Sequence, residues 1–599
     1  MWNPPPLPSS KNSIQLMLYI IRLDWTQYIK TLNVSSGTSG WALKMFDASG
    51  KLSPSGILEG SIFFLPGNLD SCLEVEAPAF NGQWCSFWIR NALGKDTKTN
   101  GKQKIPYDHI MNMLDQRNLP DGAGDLFKGA QIFTGQCVPD SCSLGDMSLI
   151  LSLYLYDGLG FYAAPASESC LTRDNSVELD STDYTVISII VAFGMLIFVG
   201  TIADMSIKHF KLDPDRNMKT FFIIFQGFSL YVMFRKIFHV SKNKDNLGCI
   251  NGIRFLSMVW VIVGHTYLML SAAGASPYIS NSLSLFANFG EEYGMRFIFN
   301  ATPSVDSFFL IGAVLLSFLT LQQLEKQNGG SIKFWTMFFV HRYIRLTGVY
   351  AMALALQVSL LRHLRGNSYV DIFPYLSQAC ESSWWTNLLY INNFKEFLHT
   401  DDCMGHTWYM ANDMQMFLIS PILIYAMYKS PIFGIALSSA VTIGSAFYRI
   451  WWYTDYKKDK EDFDDLYDNV LEIGVDDQDF MYRKPWARIG PYAIGLIVGC
   501  ILNKIKNTKI AFTARNISIA LIANGFSITI LYFIIFFDSE SMTDIDREWY
   551  NALHRIGWGL GLGMLIITCV KVIECHHQYI QINICKKMHT FMVHMYEKL

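Results

Sequence analysis

Long apolar runs recur along this chain, and they limit its fold more than any other feature. Near 184–204, 252–271, 302–321, 334–361, 410–429, 431–453, 487–503, 514–537 and 552–572 the sequence stays predominantly apolar. Each run is about 17 to 25 residues, the length a helix needs to cross the hydrocarbon of a bilayer. The chain of 599 residues is 51% hydrophobic and only 17% charged, too oily for an ordinary soluble enzyme of this size. The expected fold class is an all-α multi-pass membrane bundle of about nine spans, with the lipid bilayer as its first partner. A net charge of −3 carries none of the basic surplus that nucleic-acid binding requires.

Residues 1–183 contain no comparable run. They are rich in Gly, Ser and Pro and hold Cys72, Cys85, Cys137, Cys142 and Cys170, the composition of a small disulfide-stapled domain. Spacing makes Cys72 with Cys85, and Cys137 with Cys142, candidate neighbours, and Cys380 with Cys403 a candidate pair in one loop. The chain divides into an atypical N-terminal segment (1–40), a cysteine domain (41–183), a first span (184–204), a basic linker (205–250), a membrane domain (251–572) and a divergent polar tail (573–599).

Orientation follows from the lysines and arginines between the spans. Residues 205–250 carry eight basic and three acidic side chains, and 502–515 four basic and none acidic. By contrast, 454–486 carries eleven acidic against five basic, and 538–550 five against one. The alternation predicts that the cysteine domain, the 272–301 and 362–409 loops and both acidic loops lie outside the cytosol, in a plasma membrane or an endomembrane. Asn33 in "NVS" and Asn300 in "NAT" then face glycosylating enzymes, whereas Asn516 in "NIS" does not.

Ionisable residues inside spans are costly enough to be candidates for function. In "NGIRFLSMVWVIVGHTY", Arg254 and His265 are eleven residues apart. That places them on nearly one helix face and about 16 Å apart along it. Asp306 opens the next span in "PSVDSFFLIGA", Arg342 and Arg345 stand one turn apart in "HRYIRLTGVY", Asp413 lies in "WYMANDMQMFLISP" and Arg488 in "PWARIGPYAIG". Two accounts are open: these charges pair as buried salt bridges that hold the bundle, or they form a cationic pocket on the cytosolic side with a titratable His at its apex.

These blocks, in this order and rough spacing, resemble the type 3 membrane acyltransferase family. The N-terminal "WALKMFDASGKLSPSGILEG", "CLEVEAPAFNGQWC" and "CVPDSCS" resemble the extracytosolic domain of its animal branch, the nose-resistant-to-fluoxetine proteins. The resemblance implies an enzyme that moves an acyl group from cytosolic acyl-CoA to a hydroxyl or amine of a lipid, glycan or small-molecule acceptor. It implies an active site marked by Arg254 and His265, a CoA-holding pair in Arg342 and Arg345, and recurrent acids at Asp306 and Asp413. Many relatives have a Pro where this chain reads Gly348. It also implies an upstream cysteine and further spans beyond "LIITCVK", so an incomplete form of the chain is an expectation.

The chemistry is coherent by itself. Attack on a thioester needs a base, and neutral imidazole is poised near pH 7. Arginine forks bind phosphate bidentately and cannot lose their charge. The candidate set is therefore His265, Asp306 and Asp413 for catalysis and Arg254, Arg342, Arg345 and Arg488 for acyl-CoA. No metal is expected: "ECHHQ" at 574–578 lacks a second ligand cluster, and "DKEDFDD" at 459–465 lacks the glycine turn of a calcium loop. The rival reading is a lipid or hydrophobic-drug carrier that uses the same pocket without turnover.

Overall fold

The computed structural model describes residues 40–50, 64–65, 67–78, 80–91, 132–159, 161–165, 170–173, 179–210, 225–239, 248–272, 293–363, 372–395, 403–460, 478–506, 514–536 and 544–575. Asn33 lies outside them. The N-terminal unit is built from helices α1 (Gly40–Ala48), α2 (Leu69–Leu73) and α3 (Leu144–Leu159) and strands β1 (Phe64–Leu65), β2 (Gly82–Asn91), β3 (Ile132–Pro139) and β4 (Phe161–Pro165). The sheet order is β1-β3-β2-β4, with β1 parallel to β3 and β2 antiparallel to both its neighbours.

Strand β2 shows why this sheet has two cores. Side chains alternate faces along a strand, so Trp84 and Trp88 pack with Phe133, Cys137 and Cys72 on one face. Cys85 and Phe87 pack with Val138, Met147 and Cys170 on the other. The register sets Trp84 opposite Cys137 and Cys85 opposite Gln136, which sends Cys85 and Cys137 to opposite faces. Accordingly Cys72 bonds Cys137 and Cys85 bonds Cys170. This corrects the expectation of Cys72–Cys85 and Cys137–Cys142: neighbours in sequence are separated here by the sheet itself. The thiol of Cys142 takes no part in either bond. Cys380 does bond Cys403.

The membrane part is helical: α4 (Ser181–Phe210), α5 (Leu230–Ile237), α6 (Gly248–Ala272), α7 (Tyr293–Phe299), α8 (Pro303–Lys326), α9 (Ile332–Val358), α10 (Ile372–Leu388), α11 (Trp408–Lys429), α12 (Pro431–Lys460), α13 (Pro485–Ile505), α14 (Ala514–Ile535) and α15 (Asp544–Cys575). Among the described residues, 8 helices are long and apolar enough to cross a membrane. The expectation was about nine; the one that falls short is α11. It has a span's length, but Asn412, Asp413 and Gln415 in its first turns lower its mean hydropathy; Asn412 is buried and the other two half-buried, while Leu418 and Ile422 farther along stay exposed.

Helices α8 and α13 form the centre of the bundle. They approach closely because Gly495 and Gly499 face α8 backbone: a Cβ on Gly495 would lie 2.4 Å from the Leu310 carbonyl oxygen, and one on Gly499 2.5 Å from that of Val314. Small residues four apart are how helices gain van der Waals contact where lipid offers no hydrophobic drive. Around this pair pack α6, α11, α12 and α15. The first span is different: α4 stands at the edge and exposes Met195 and Phe198 along a surface suited to acyl chains.

At its start α4 is nonetheless tied to the bundle. Asp180 accepts from the backbone N–H groups of Thr182 and Asp183, and the Asp183 carboxylate accepts from the Asp180 N–H, a reciprocal cap. Arg362, at the end of α9, donates to both carboxylates, and His363 Nε2 lies 2.9 Å from Asp183. The end of the N-terminal unit and the end of α9 therefore share one side of the bundle, as the loop charges require.

Candidate functional site

The seven residues singled out in the sequence fall into two neighbouring groups and one isolated position. The first group is built on α6, α9 and α11. Arg342 donates to the Asp413 carboxylate, and its guanidinium carbon sits 4.3 Å from the centre of the Phe417 ring. Arg254 and Arg345 lie on the protein surface, close enough to interact electrostatically with one another and, for Arg254, with Tyr409. Tyr409 also feels Arg342 and Asp413 and stacks on Phe309 with ring centres 4.6 Å apart. Charge singles out these arginines in the sequence, whereas Tyr409, which follows Trp408 in "WYMANDMQMFLISP", carries none to draw notice.

The second group is sealed. Arg488 donates to Asp306 Oδ2 at 2.9 Å, with both side chains wholly buried. Arg555 Nε is 3.9 Å from the same oxygen, and its terminal nitrogen donates to the carbonyls of Met481 and Ala487 at 2.9 and 3.0 Å. Arg449, from α12, donates to the Ala552 carbonyl and is within electrostatic reach of Asp306 and Arg488. The Arg488 guanidinium lies 4.1 Å from the Tyr482 ring centre and 5.2 Å from that of Trp408, the neighbour of Tyr409. This contact brings the sealed group up against the first.

Arg488 is thus held by a carboxylate deep in protein, so it is not grouped with the surface arginines as the cationic-pocket account expected. For Asp306 and Arg488, and for Asp413 and Arg342, the ion-pairing account describes the contacts. Arg449 and Arg555 escaped the sequence reading even though both lie in apolar runs where any charge is a signal. They sit in "FYRI" and "LHRI", inside the 431–453 and 552–572 spans.

His265 belongs to neither group. It is exposed on the surface of α6, one residue after Gly264, whose backbone packs against Ala301. Five residues before it, the Trp260 ring lies 5.5 Å from that of Trp558, and Trp558 donates to the hydroxyl of Ser307, next to Asp306. His265 therefore stands at the end of the bundle that holds the sealed group, and Arg254 lies about 16 Å along the helix toward the other end. Its Nδ1 is 2.8 Å from the carbonyl oxygen of Val261, one turn back. A carbonyl only accepts, so Nδ1 carries the proton and Nε2 of the neutral ring keeps its lone pair. That is the tautomer a general base needs.

Comparison with known proteins follows the same division of the chain. A family model described as an acyltransferase domain matches residues 247–574. One described as the N-terminal domain of nose resistant-to-fluoxetine proteins matches residues 23–151. The chain is similar to the nose resistant to fluoxetine protein 6 of Caenorhabditis elegans, 26% identical over 575 residues, covering 88% of this chain and 68% of that protein. It is also similar to the regulator of hypoxia-inducible factor 1 of the same organism, 22% identical over 372 residues, covering 58% of this chain and 65% of the relative. The chain thus spans about two thirds of the length of either relative. No solved structure matches.

Proposed function

The chain belongs to the nose-resistant-to-fluoxetine branch of the type 3 membrane acyltransferase family, and from that premise we propose that it is a membrane acyltransferase. In this reading it moves an acyl group from cytosolic acyl-CoA to a hydroxyl or amine in or across the membrane. The observation that carries the reading is the fixed tautomer of His265, with Nε2 left to accept a proton. An imidazole that served only to join helices would direct its polar atoms at a neighbouring helix. His265 instead ties Nδ1 to its own helix and leaves the other nitrogen at the surface.

The surface arginines supply the donor end. Arg254 and Arg345 present guanidinium groups at the protein surface, suited to the pyrophosphate and 3′-phosphate of CoA. Asp413 holds Arg342 beside them. A pantetheine arm laid along α6 from Arg254 toward His265 has about 16 Å to cover. The acceptor's oxygen or nitrogen then attacks the thioester carbonyl as its proton passes to His265 Nε2, a new C–O or C–N bond forms, the C–S bond breaks, and the CoA thiolate takes that proton from His265 and leaves as the thiol. In this orientation the cysteine domain, tied to α9 through Arg362, lies outside the cytosol.

The test is release of free CoA by purified protein given labelled acetyl-CoA or palmitoyl-CoA, with lipid, sugar and amine acceptors. Release that needs an acceptor and exceeds the His265→Ala background supports the reading. Folded protein that releases none across all donors and acceptors removes it and leaves the carrier.

A further inference from the structure

Of the charges in this bundle, those of the sealed group are the hardest to account for. Arg449 is 1% exposed, Arg488 0%, Arg555 6% and Asp306 0%. Among the described residues, three buried guanidinium groups therefore share one carboxylate, a surplus of two positive charges. Arginine does not discharge itself by losing a proton. Isolated buried charge costs several kcal/mol per ion unless it is paired and hydrogen-bonded. His554, whose Nδ1 lies 2.8 Å from the Tyr550 carbonyl oxygen, cannot offset the surplus, because an imidazole is either neutral or positive. Lys484, also buried, is engaged elsewhere, donating to the Asn393 carbonyl at 2.6 Å.

The hydrogen-bonding capacity of the group is incomplete in the same way. Arg449 Nε and Nη1, Arg488 Nη2 and Arg555 Nε are buried with no acceptor among the described residues. So is the hydroxyl of Ser445, one helical turn before Arg449. On the acid side, Asp306 Oδ1 has no donor among the described residues. Four guanidinium donors, a hydroxyl and one spare carboxylate oxygen suit an anion with several acceptor oxygens and one O–H.

We propose that this cluster is a resident phosphate site: Arg449, Arg488 and Arg555 hold the oxygens of a dianionic phosphate, and Asp306 both anchors the arginines and accepts from a phosphate hydroxyl. Hydrogen phosphate matches the surplus of two charges and the spare carboxylate oxygen together. A phospholipid with a phosphomonoester headgroup matches the charge alone. The site is independent of the acyl-transfer reading, because nothing in it touches His265 or the surface arginines.

The experiment purifies the full chain in detergent with phosphate-free buffers, denatures it and measures phosphorus separately in aqueous and organic extracts. The expected result is about one equivalent per chain, aqueous if the source is inorganic phosphate and organic if it is phosphatidic acid. Arg449→Lys keeps a charge but loses the fork, and should lower the phosphorus retained after identical washing by roughly tenfold or more, as expected for charged hydrogen bonds. Arg555→Lys, which loses the fork from a different helix, should lower retention likewise and gives a second variant if Arg449→Lys fails to fold; parental retention in both folded variants overturns the proposal. Phosphorus below one-tenth of an equivalent in both extracts overturns the proposal. So does phosphorus that arrives with adenine absorbance, since it then belongs to a nucleotide at the open group.

Discussion

Two sets of three arginines and one aspartate lie side by side in this bundle, and they differ in a single respect. In the first, Arg254 and Arg345 reach the protein surface and only the Arg342–Asp413 pair is partly enclosed. In the second, all four members are buried. The same formal surplus of charge has different consequences in the two places. A set that opens at the protein surface can bind, release and rebind an anion at each turnover. Inside protein, screening is weak and entry requires the helices to part, which favours a ligand that stays. Acyl-CoA suits the open set for this reason, and a resident phosphate the sealed one.

The largest expected effect concerns the residue that belongs to neither set. If the open set only holds the donor and His265 takes the acceptor's proton, His265→Ala should lower turnover by roughly 10² to 10⁴. Donor affinity should barely move, because the imidazole is about 16 Å from Arg254. Turnover and acyl-CoA affinity measured on the same preparation decide it. A variant that loses affinity and turnover in equal proportion would place His265 in the donor site and dissolve the division.

Replacing Arg342 and Arg345 together by alanine should weaken CoA binding by roughly ten- to a hundredfold, the scale of losing charged hydrogen bonds. The binding that remains should depend less on salt, since the phosphate contact of Arg345 and the positive charge of Arg342 beside it are gone. In the parent protein, raising salt from about 50 to 500 mM, where the Debye length falls from roughly 14 to 4 Å, should weaken CoA binding and leave the retained phosphorus unchanged. Equal salt sensitivity of the two would show that burial does not distinguish them.

The comparison also locates what a sequence can show. The spans were legible because a bilayer imposes a length on apolar runs, and α11 alone deceived, being long but lined with Asn412, Asp413 and Gln415. Arg342 and Arg345 were legible as a pair because one helical turn separates them. Arg449 and Arg555 were not seen as a group: they lie over a hundred positions apart, and only the packing of α12 and α15 on α13 brings them to Asp306. The two N-terminal disulfides, unlike Cys380–Cys403, were not legible for a related reason. Cys72 and Cys85 are near in sequence, but pairing depends on which face of β2 each residue meets, and that follows from a register that spacing does not encode.

A smaller effect separates pairing from surplus within the membrane domain. Arg342→Met alone leaves Asp413 facing an apolar side chain and should cost about 1 kcal/mol, below the range for a fully buried pair because both partners keep some exposure. Adding Asp413→Leu should recover most of that loss, because replacing both partners by apolar groups is often near neutral. Thermal transitions of the three variants in detergent measure it. A double variant less stable than the single would mean that Asp413 has a partner beyond Arg342 and that the open set is not organised around one pair.

The smallest effect lies where the N-terminal unit meets the bundle, in a contact exposed enough to titrate freely. The hydrogen bond from Arg362, helped by the backbone N–H groups it caps, lowers the Asp180 pKa to about 2. A carboxylate depressed in the folded state stabilises it fully above its unfolded value near 4. That stabilisation fades as pH falls toward 2, because protonation removes the charge Arg362 holds. Hydrogen exchange at the amides of Thr182 and Asp183, corrected for intrinsic rates, should therefore be slow at pH 5 and faster below pH 3. Asp180→Asn keeps the capping oxygen and loses the charge, so it should exchange faster than the parent at pH 5 and converge with it at pH 2. If parent and variant exchange alike at pH 5, the charge of Asp180 contributes nothing to this junction, and Asp183, with Arg362 and His363 both upon it, holds α4 to the bundle without help.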